Sequence, residues 1–383
     1  MRETVTQTAT GWPITGTGLV TSVGAGTAEV FEALCAGRGA PAGVRAFDTT
    51  RLRTRHAFEV SDPPQQPAAW LCRAVAEALA QASLPEDLSG VPVLVGSGLR
   101  NLRAVERDWL AGSPSPPDPH FGRALRDRFG ACDTHTFAGA CSASLYALAL
   151  ATDLLATDRA ETVVVAGADT ITAGMYALLD RVQPGAPREV RPFDRRSAGQ
   201  LLGDGAAAVV LRRPGAGRAR AVLRSVGLHC DAGHVTTPDP DGLVSAQRQA
   251  HERAGVTPGE IGLVHAQGTG APLNDRAEAQ ALARVFGRSG GPLICAVEGM
   301  TGHASGCSGL LSTVLATECL RTARVPPVVG LREPIEEAAG LRFSTGCRVE
   351  GEEARLGQVG QVAQVNSFGF GGVHAVAIVG RAA

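Results

Sequence analysis

The sequence predicts an α/β protein whose sheets are covered by helices on both faces. Short runs rich in β-branched residues lack the polar alternation of half-exposed strands, as expected when both faces are buried. Helical stretches separate these runs along a chain of 383 residues, which favours alternating elements over segregated helical and strand regions. A hydrophobic fraction of 44% is enough to build a large core around such sheets.

The elements follow one another in a regular order. The predicted strands are Val91–Val95, Thr162–Ala166, Ala206–Leu211, Ile261–His265 and Val373–Val379. The predicted helices are Arg73–Ala82, Ser142–Ala156, Asp275–Phe286 and Gly309–Thr322. The helix over Ser142–Ala156 is apolar nearly all round, so we expect it to be central and buried. Arg212–Gly217 follows a predicted strand near the middle of the chain and is a candidate link between two comparable halves.

Composition excludes several classes of protein. A net charge of −1 and a pI near 6.8 give no electrostatic reason to expect a nucleic acid or an anionic membrane as partner. No apolar run reaches the roughly 18 residues of a membrane span, and no signal-peptide core is visible. The nine cysteines form no C-x-x-C pair. We therefore expect a cytoplasmic protein with reduced thiols and no bound metal.

The first candidate for chemistry is Cys141, in the segment Thr136–Ser144 (TFAGACSAS). A run of small residues opens directly into the predicted buried helix, and small neighbours let a substrate approach closely. Free amides at a helix N-terminus stabilise a thiolate, which turns a thiol into a nucleophile. The alternative is a structural cysteine buried as a small apolar side chain.

A possible partner for this thiol is His303, which also stands just before a predicted helix. Gly302 and Gly306 flank it and permit close backbone packing around an imidazole. A single histidine is also often just a packed or surface residue, so both interpretations stay open for His303 alone.

Two glycine-rich segments are further candidates. Leu263–Asp275 reads as a strand that runs into a turn and then a helix, which is typical of a loop that borders a ligand. It lacks the G-x-G-x-x-G spacing of a dinucleotide site. Asn366–Val373 places three glycines around Phe370, which predicts a tight turn with exposed amides. This second segment is either an ordinary hairpin or a hinge or lid.

Taken in this order and spacing, the segments resemble the β-ketoacyl synthase family of the thiolase superfamily over essentially the whole chain. The matching segments are Pro13–Gly24, Ala138–Leu148, Arg191–Leu211, His265–Ala279, Val297–Gly309 and Asn366–His374. The resemblance implies a five-layer αβαβα fold built from two similar halves, 1–213 and 214–383, and usually a dimer through the sheet edge near the nucleophile.

The family condenses an acyl group held on cysteine with a malonyl group on an acyl carrier protein. By resemblance, Cys141 accepts the acyl chain, and the backbone amides of Cys141 and Phe370 form an oxyanion hole. Gly369 and Gly371 flank Phe370 in that turn. Thr269 is implied to contact the phosphopantetheine arm, which the carrier protein delivers, so no resident cofactor is expected. The expected partners are an acyl carrier protein and a second synthase chain, in a homodimer or heterodimer.

This chain departs from the family at several positions of the site. Two histidines normally hold the malonyl carbonyl; His303 matches the second, but Gln267 stands at the first. His265 lies two residues before Gln267 along the predicted strand, so its side chain should emerge on the same face; it is a candidate to reach the site, provided that the loop shifts. Glu298 replaces a lysine and reverses its charge. The second threonine of the loop is Ala271, and Asp204 stands where glutamate is usual.

A glutamine is neutral and cannot act as a general base, so loading of Cys141 looks intact while condensation looks impaired. Three functions stay open. The first is a ketosynthase-like acyltransferase of polyketide or fatty-acid biosynthesis. The second is a non-catalytic partner subunit that resembles a chain-length factor. The third is a cysteine hydrolase that uses Cys141 and His303.

Overall fold

The structure is a computed structural model that describes residues 11–61, 66–114, 117–346 and 361–382. Its strands are β1 (Trp12–Thr21), β2 (Gly24–Ala25), β3 (Ala42–Gly43), β4 (His56–Ala57), β5 (Val93–Gly96), β6 (Thr134–Phe137), β7 (Thr162–Asp169), β8 (Gly205–Arg212), β9 (Ala221–Cys230), β10 (Leu263–His265), β11 (Leu293–Cys295), β12 (Arg342–Phe343), β13 (Val362–Gly369) and β14 (Val373–Arg381). Its helices are α1 (Thr27–Cys35), α2 (Pro67–Gln81), α3 (Leu102–Leu110), α4 (Gly122–Phe129), α5 (Ala143–Ala156), α6 (Ala173–Val182), α7 (Pro240–Ala254), α8 (Pro272–Phe286), α9 (Glu298–Thr301) and α10 (Ser308–Thr322).

The strand pairing shows two halves with the same topology. In the first half, β1 pairs with β8 and β8 with β7 in antiparallel fashion, and β5 then pairs in parallel with β7 and β6. In the second half, the order β9, β14, β13, β10, β11 repeats this pattern pair by pair. A short antiparallel contact between β1 and β9 joins the halves. This repetition confirms the expected construction from two similar halves.

Helices fill the space between the halves and cover both outer faces. Along β7, Val163 and Val165 face the same core as α5 and α10, whereas Val164 and Ala166 face the core beneath α2. Alternate residues of a strand point to opposite faces, so β7 is buried on both sides. A third core packs α7 and α8 against the outer face of the second half. The result is the five-layer thiolase-like arrangement, with α5 and α10 in the central layer.

The predicted strands and helices all occur, with ends that move by a few residues. The helix predicted to begin at Arg73 begins earlier, at Pro67, because a proline is well suited to the first turn of a helix. The predicted boundary between the halves, at residues 213 and 214, falls between β8 and β9. Separate domain behaviour of the halves stays a prediction. Cys347 lies outside the described residues, and within them no helix is long and apolar enough to cross a membrane.

Candidate active site

The nucleophile candidate sits in a strained turn. Cys141 is the middle residue of a short 3-10 turn, Ala140–Ser142, which leads directly into the buried helix α5. Ala140 has a φ of 49°, a left-handed conformation that is unfavourable for a residue with a Cβ. The Ser142 hydroxyl lies within hydrogen-bond distance of the Gly139 carbonyl at 3.0 Å and the Val373 carbonyl at 2.9 Å. Cys141 remains partly exposed, as a thiol that receives a substrate must be.

An equivalent turn in the second half delivers the histidine. His303 precedes a 3-10 turn, Ser305–Cys307, which leads into α10 as the first turn leads into α5. The backbone of His303 is fixed by hydrogen bonds to Leu201 and Gly203. Its Nε2 atom lies 3.0 Å from the Cys141 sulfur. The duplicated fold therefore brings the two helix starts together and pairs the thiol with the imidazole, as the sequence predicted.

Glu298 contacts the other side of the same imidazole. Its Oε1 atom lies 2.6 Å from His303 Nδ1, and the Ser308 hydroxyl lies 3.3 Å from Nδ1. A carboxylate at Nδ1 holds the proton there, so Nε2 of a neutral His303 is an acceptor that faces the thiol. The Glu298 carboxylate is therefore placed to orient the imidazole. Glu298 was expected among the substrate-binding residues, and a contact between Glu298 and a substrate stays a prediction.

The charge of His303 depends on its two neighbours, Glu298 and Cys141. Burial opposes protonation of His303, but the Glu298 carboxylate and the Cys141 thiolate outweigh it and raise the pKa of His303 well above its ordinary value. Burial also raises the pKa of Glu298, and the positive charge of His303 opposes this. The arrangement thus favours a protonated His303, which lies between the Cys141 sulfur and the Glu298 carboxyl group.

Gln267 is engaged with the backbone of the glycine-rich turn. Its Nε2 donates to the Phe368 carbonyl at 3.1 Å, and its Oε1 accepts from the Phe368 amide at 2.9 Å. The side chain is buried. The expected donation to a malonyl carbonyl therefore competes with a two-point contact that holds the end of β13 in place, next to Phe370.

His265 does not lie where the sequence argument put it. Its imidazole is 1% exposed, and its Nε2 lies 3.5 Å from the sulfur of Cys319. Burial lowers the pKa of His265 to about 4, so it is neutral. Cys319 lies eleven residues after the first residue of α10, or roughly 16 Å along that helix from the His303 turn. The expectation that His265 reaches the site is therefore wrong.

Two buried carboxyl groups hold the loop between β10 and α8. Glu278 accepts hydrogen bonds from the amides of Gln267 and Gly268, and Asp275 accepts from Gly270. Burial raises the pKa of both acids; the charge of Glu298 adds to this effect in both, and the charge of Glu278 adds to it in Asp275. The sequence analysis assigned neither a role, although their three-residue spacing at the start of α8 was a visible signal.

Thr269 belongs to the same loop. Its side chain is 1% exposed, and its hydroxyl oxygen accepts a hydrogen bond from the Ala271 amide at 3.1 Å. The hydroxyl thus stabilises the turn in this structure. Contact between Thr269 and a phosphopantetheine arm stays a prediction.

The glycine-rich turn after β13 packs directly on the nucleophile turn. A Cβ at Gly369 would lie 3.2 Å from the Ser142 hydroxyl oxygen and 3.3 Å from the Ala140 Cβ, so only glycine allows this close approach. Gly371 has a φ of 79°, and its amide donates to the Val235 carbonyl at 2.7 Å. Phe370 lies between these glycines, and the role of its amide in an oxyanion hole stays a prediction.

Phe370 also forms one wall of an apolar cleft. The cleft is lined mainly by side chains from α6 and the start of α8, among them Leu179, Val182, Ala271 and Leu273. Leu273 and Val182 are more than half exposed. The apolar lining of this cleft is suited to an acyl chain.

A buried acid that was not predicted from the sequence joins the loop after β5 to the turn before α10. Asp169 accepts hydrogen bonds from the Ser97 hydroxyl, from the amides of Gly98 and Leu99, and from the Cys307 amide. Burial raises the pKa of Asp169 to about 6. It lies in the run of apolar residues of β7, and no local signal marks it as a connector.

A duplicated five-layer fold, with a cysteine at the start of one central helix in contact with a histidine at the start of the other, defines a thiolase-like protein. Models of the β-ketoacyl synthase N-terminal and C-terminal domains match residues 132–215 and 220–332. The chain belongs to the β-ketoacyl synthase family, whose members act in fatty-acid and polyketide synthesis.

Relatives align over almost their whole length. The 3-oxoacyl-[acyl-carrier-protein] synthase 2 of Vibrio cholerae is 29% identical, and that of Coxiella burnetii is 26% identical; each alignment covers 96% of this chain and 98% of the relative. Among solved structures, the ishigamide ketosynthase/chain length factor superposes with a TM-score of 0.87 at 26% identity, over 98% of this chain and 100% of that one. A β-ketoacyl synthase from Burkholderia phymatum gives a TM-score of 0.85 at 24% identity, over 98% and 100% of the two chains.

Proposed function

We propose that this protein accepts an acyl chain from an acyl carrier protein onto Cys141, and that its capacity for decarboxylative condensation is low. The observation that carries the proposal is the continuous contact from Glu298 through His303 to the Cys141 sulfur, with separations of 2.6 Å and 3.0 Å. A thiol, a base and a residue that orients the base form the minimal set for covalent acyl transfer.

The acylation step follows from this geometry. The Cys141 thiolate attacks the carbonyl carbon of the thioester, and the negative charge that develops on oxygen is stabilised by the amides of Cys141 and Phe370. The carbon–sulfur bond to the carrier then breaks. His303 gives its proton to the departing thiol, and the acyl chain lies in the apolar cleft beside Phe370.

The same site is poorly equipped to decarboxylate malonate. That step creates an enolate, which needs hydrogen-bond donors or positive charge at the malonyl carbonyl. Gln267 is neutral, and its amide is already engaged with Phe368. Glu298, Glu278 and Asp275 are buried carboxyl groups close enough to influence one another, and as anions they oppose a further negative charge.

A non-catalytic partner subunit is the alternative. The engaged Gln267 favours it, because an essential group of condensation is absent. The similarity to a ketosynthase/chain length factor complex is compatible with it as well. The preserved thiol–imidazole contact favours the acyltransferase. In either case, the outer edge of β6, which pairs only with β5 among the described residues, is a suitable surface for a homodimer or heterodimer contact.

Intact-protein mass spectrometry with an acyl-loaded carrier protein tests the proposal. We expect a mass increase equal to the acyl group, which disappears in Cys141→Ala and persists in Cys132→Ala, a variant of an exposed cysteine outside the site. If the wild-type protein shows no such increase and copurifies with a second synthase chain, the partner-subunit function replaces the one proposed here.

A further inference from the structure

The contact between Glu298 and His303 has a consequence for the second half of the reaction. We propose that the acyl group on Cys141 is delivered to a hydroxyl group, so that the product is an oxygen ester or, with water, a free acid, rather than a new carbon–carbon bond. This inference rests on the proposed acylation of Cys141 and names the class of acceptor that removes the acyl chain.

The tautomer of His303 leaves Nε2 free to act as a base. Glu298 Oε1 lies 2.6 Å from Nδ1, which places the proton of a neutral imidazole on Nδ1. The free electron pair is then on Nε2, the atom that faces Cys141 at 3.0 Å. An acceptor that approaches the acyl carbon from this side meets a general base. Condensation requires a donor at a comparable position, to hold the malonyl carbonyl while the enolate forms.

Acylation of Cys141 changes the charge around His303. Among the described residues, Cys141 and Glu298 are the titratable groups in contact with His303. The thiolate and the carboxylate both raise the pKa of His303, and burial lowers it. Acylation converts the thiolate into a neutral thioester, so one of the two raising effects disappears. The imidazole therefore loses its proton more readily when the acyl-enzyme is waiting for an acceptor.

A hydroxyl acceptor needs such a base, whereas a malonyl carbanion does not. A hydroxyl is a weak nucleophile until its proton is removed in the transition state, and a positioned imidazole typically contributes about 10²–10⁴-fold to such a step. A malonyl carbanion is generated by loss of carbon dioxide and needs no proton abstraction. The buried Glu298 carboxylate assists the first reaction, because it stabilises the imidazolium that forms, and opposes the second.

In this transfer, the acyl group moves from the Cys141 sulfur to the acceptor oxygen. The acceptor oxygen bonds to the acyl carbon while its proton moves to His303 Nε2. The tetrahedral intermediate collapses, the carbon–sulfur bond to Cys141 breaks, and the electron pair of that bond returns to sulfur. The products are the ester and the imidazolium–thiolate pair, which is the state that begins the next acylation. No oxidant, reductant or metal takes part.

A single-turnover experiment tests the inference. The enzyme is loaded with an octanoyl group from octanoyl-N-acetylcysteamine, freed of excess donor, and mixed with 1-butanol in ¹⁸O-labelled water, with butylamine or with malonyl-carrier protein. Loss of the acyl mass from Cys141 and the identity of the product are followed together. We expect the octanoyl group to appear in butyl octanoate or ¹⁸O-labelled octanoate. These products should form faster than they do from octanoyl-N-acetylcysteamine without the enzyme.

The variant Glu298→Gln isolates the charge, since a glutamine oxygen can still accept from Nδ1–H. We expect its acyl-enzyme to lose the acyl group more slowly than the wild-type acyl-enzyme does, by a factor of up to about 10². In the wild-type protein the rate rises with pH to a plateau, and in Glu298→Gln the midpoint moves to lower pH, because the carboxylate no longer raises the pKa of His303. Glu336→Gln, the same change at an exposed position, should match the wild type.

The possible failures are distinguishable. Absence of an acyl mass on Cys141 overturns the proposed function itself. Formation of the acyl-enzyme, followed by carbon–carbon bond formation with malonyl-carrier protein or by transfer to butylamine but not to oxygen acceptors, overturns this inference alone. Should Glu298→Gln not fold, the product and the pH profile of the wild-type acyl-enzyme still decide between these outcomes.

Discussion

Replacement of Gln267 by alanine should reduce both stability and acylation, because this side chain holds the turn that carries Phe370. The change removes two buried hydrogen bonds, to the amide and the carbonyl of Phe368. Each loss leaves a buried backbone group without its partner, at about 1–3 kcal/mol apiece. For the two groups together, we expect the free energy of unfolding to fall by about 2–4 kcal/mol.

The effect on acylation follows from the position of Phe370. Its amide is one of the two proposed oxyanion donors, and loss of one such donor slows acyl transfer by about 10²–10³-fold in enzymes where this has been tested. A loosened turn retains part of the interaction, so we expect a decrease of about tenfold or more in the rate of Cys141 acylation. Denaturant unfolding and time-resolved intact mass spectrometry measure the two effects.

A matched control separates stability from positioning. Gln249 makes one hydrogen bond, to the Leu228 amide at 2.6 Å, on the outer helix α7. Gln249→Ala should lower stability by about 1 kcal/mol and leave acylation unchanged. If Gln267→Ala behaves like this control in both measurements, then Gln267 does not hold the turn and the reasoning fails.

Three further predictions follow from other contacts. Because Cys141 faces a protonated His303, its alkylation by iodoacetamide at pH 7 should slow at least tenfold in His303→Gln; an unchanged rate would contradict the ion pair. A Cβ at Gly306 would lie 2.3 Å from a backbone nitrogen, so Gly306→Ala should cost about 1–3 kcal/mol in the unfolding free energy. At Gly90 a Cβ meets nothing within 4 Å, and Gly90→Ala should be within about 0.5 kcal/mol of the wild type. Burial raises the pKa of Asp204 from 3.8 to about 6, so the folded protein binds a proton there that the unfolded chain has lost. The stability of the wild type relative to Asp204→Asn should therefore fall by about 2–3 kcal/mol from pH 4 to pH 7, and a flat or rising difference would refute the assignment.

The duplicated α/β fold and the pairing of Cys141 with His303 were predictable from the sequence. Both residues lie where small residues and glycines lead into an apolar helix. This pattern is local in the sequence, so it can be recognised without knowledge of tertiary contacts. The long buried helices and strands were predictable for the same reason, since their apolar residues are local signals.

The errors concern contacts that depend on how the chain turns after an element ends. The side chain of His265 was expected on the same face as Gln267, but β10 ends at His265, so strand alternation does not extend to Gln267. Glu298 was expected near the substrate as a reversed charge, and its contact with His303 was not predicted. The two residues are five apart, with the short helix α9 between them, and no spacing rule predicts such a pairing outside a longer helix.

The central claim is that the buried Glu298–His303–Cys141 arrangement favours acyl transfer over decarboxylation. The most direct measurement incubates one sample of the protein with octanoyl-carrier protein and another with radiolabelled malonyl-carrier protein. It compares the rate of Cys141 acylation with the rate of carbon dioxide release. We predict rapid, stoichiometric acylation and carbon dioxide release at the level of Cys141→Ala. Release of carbon dioxide as fast as acylation would contradict the claim.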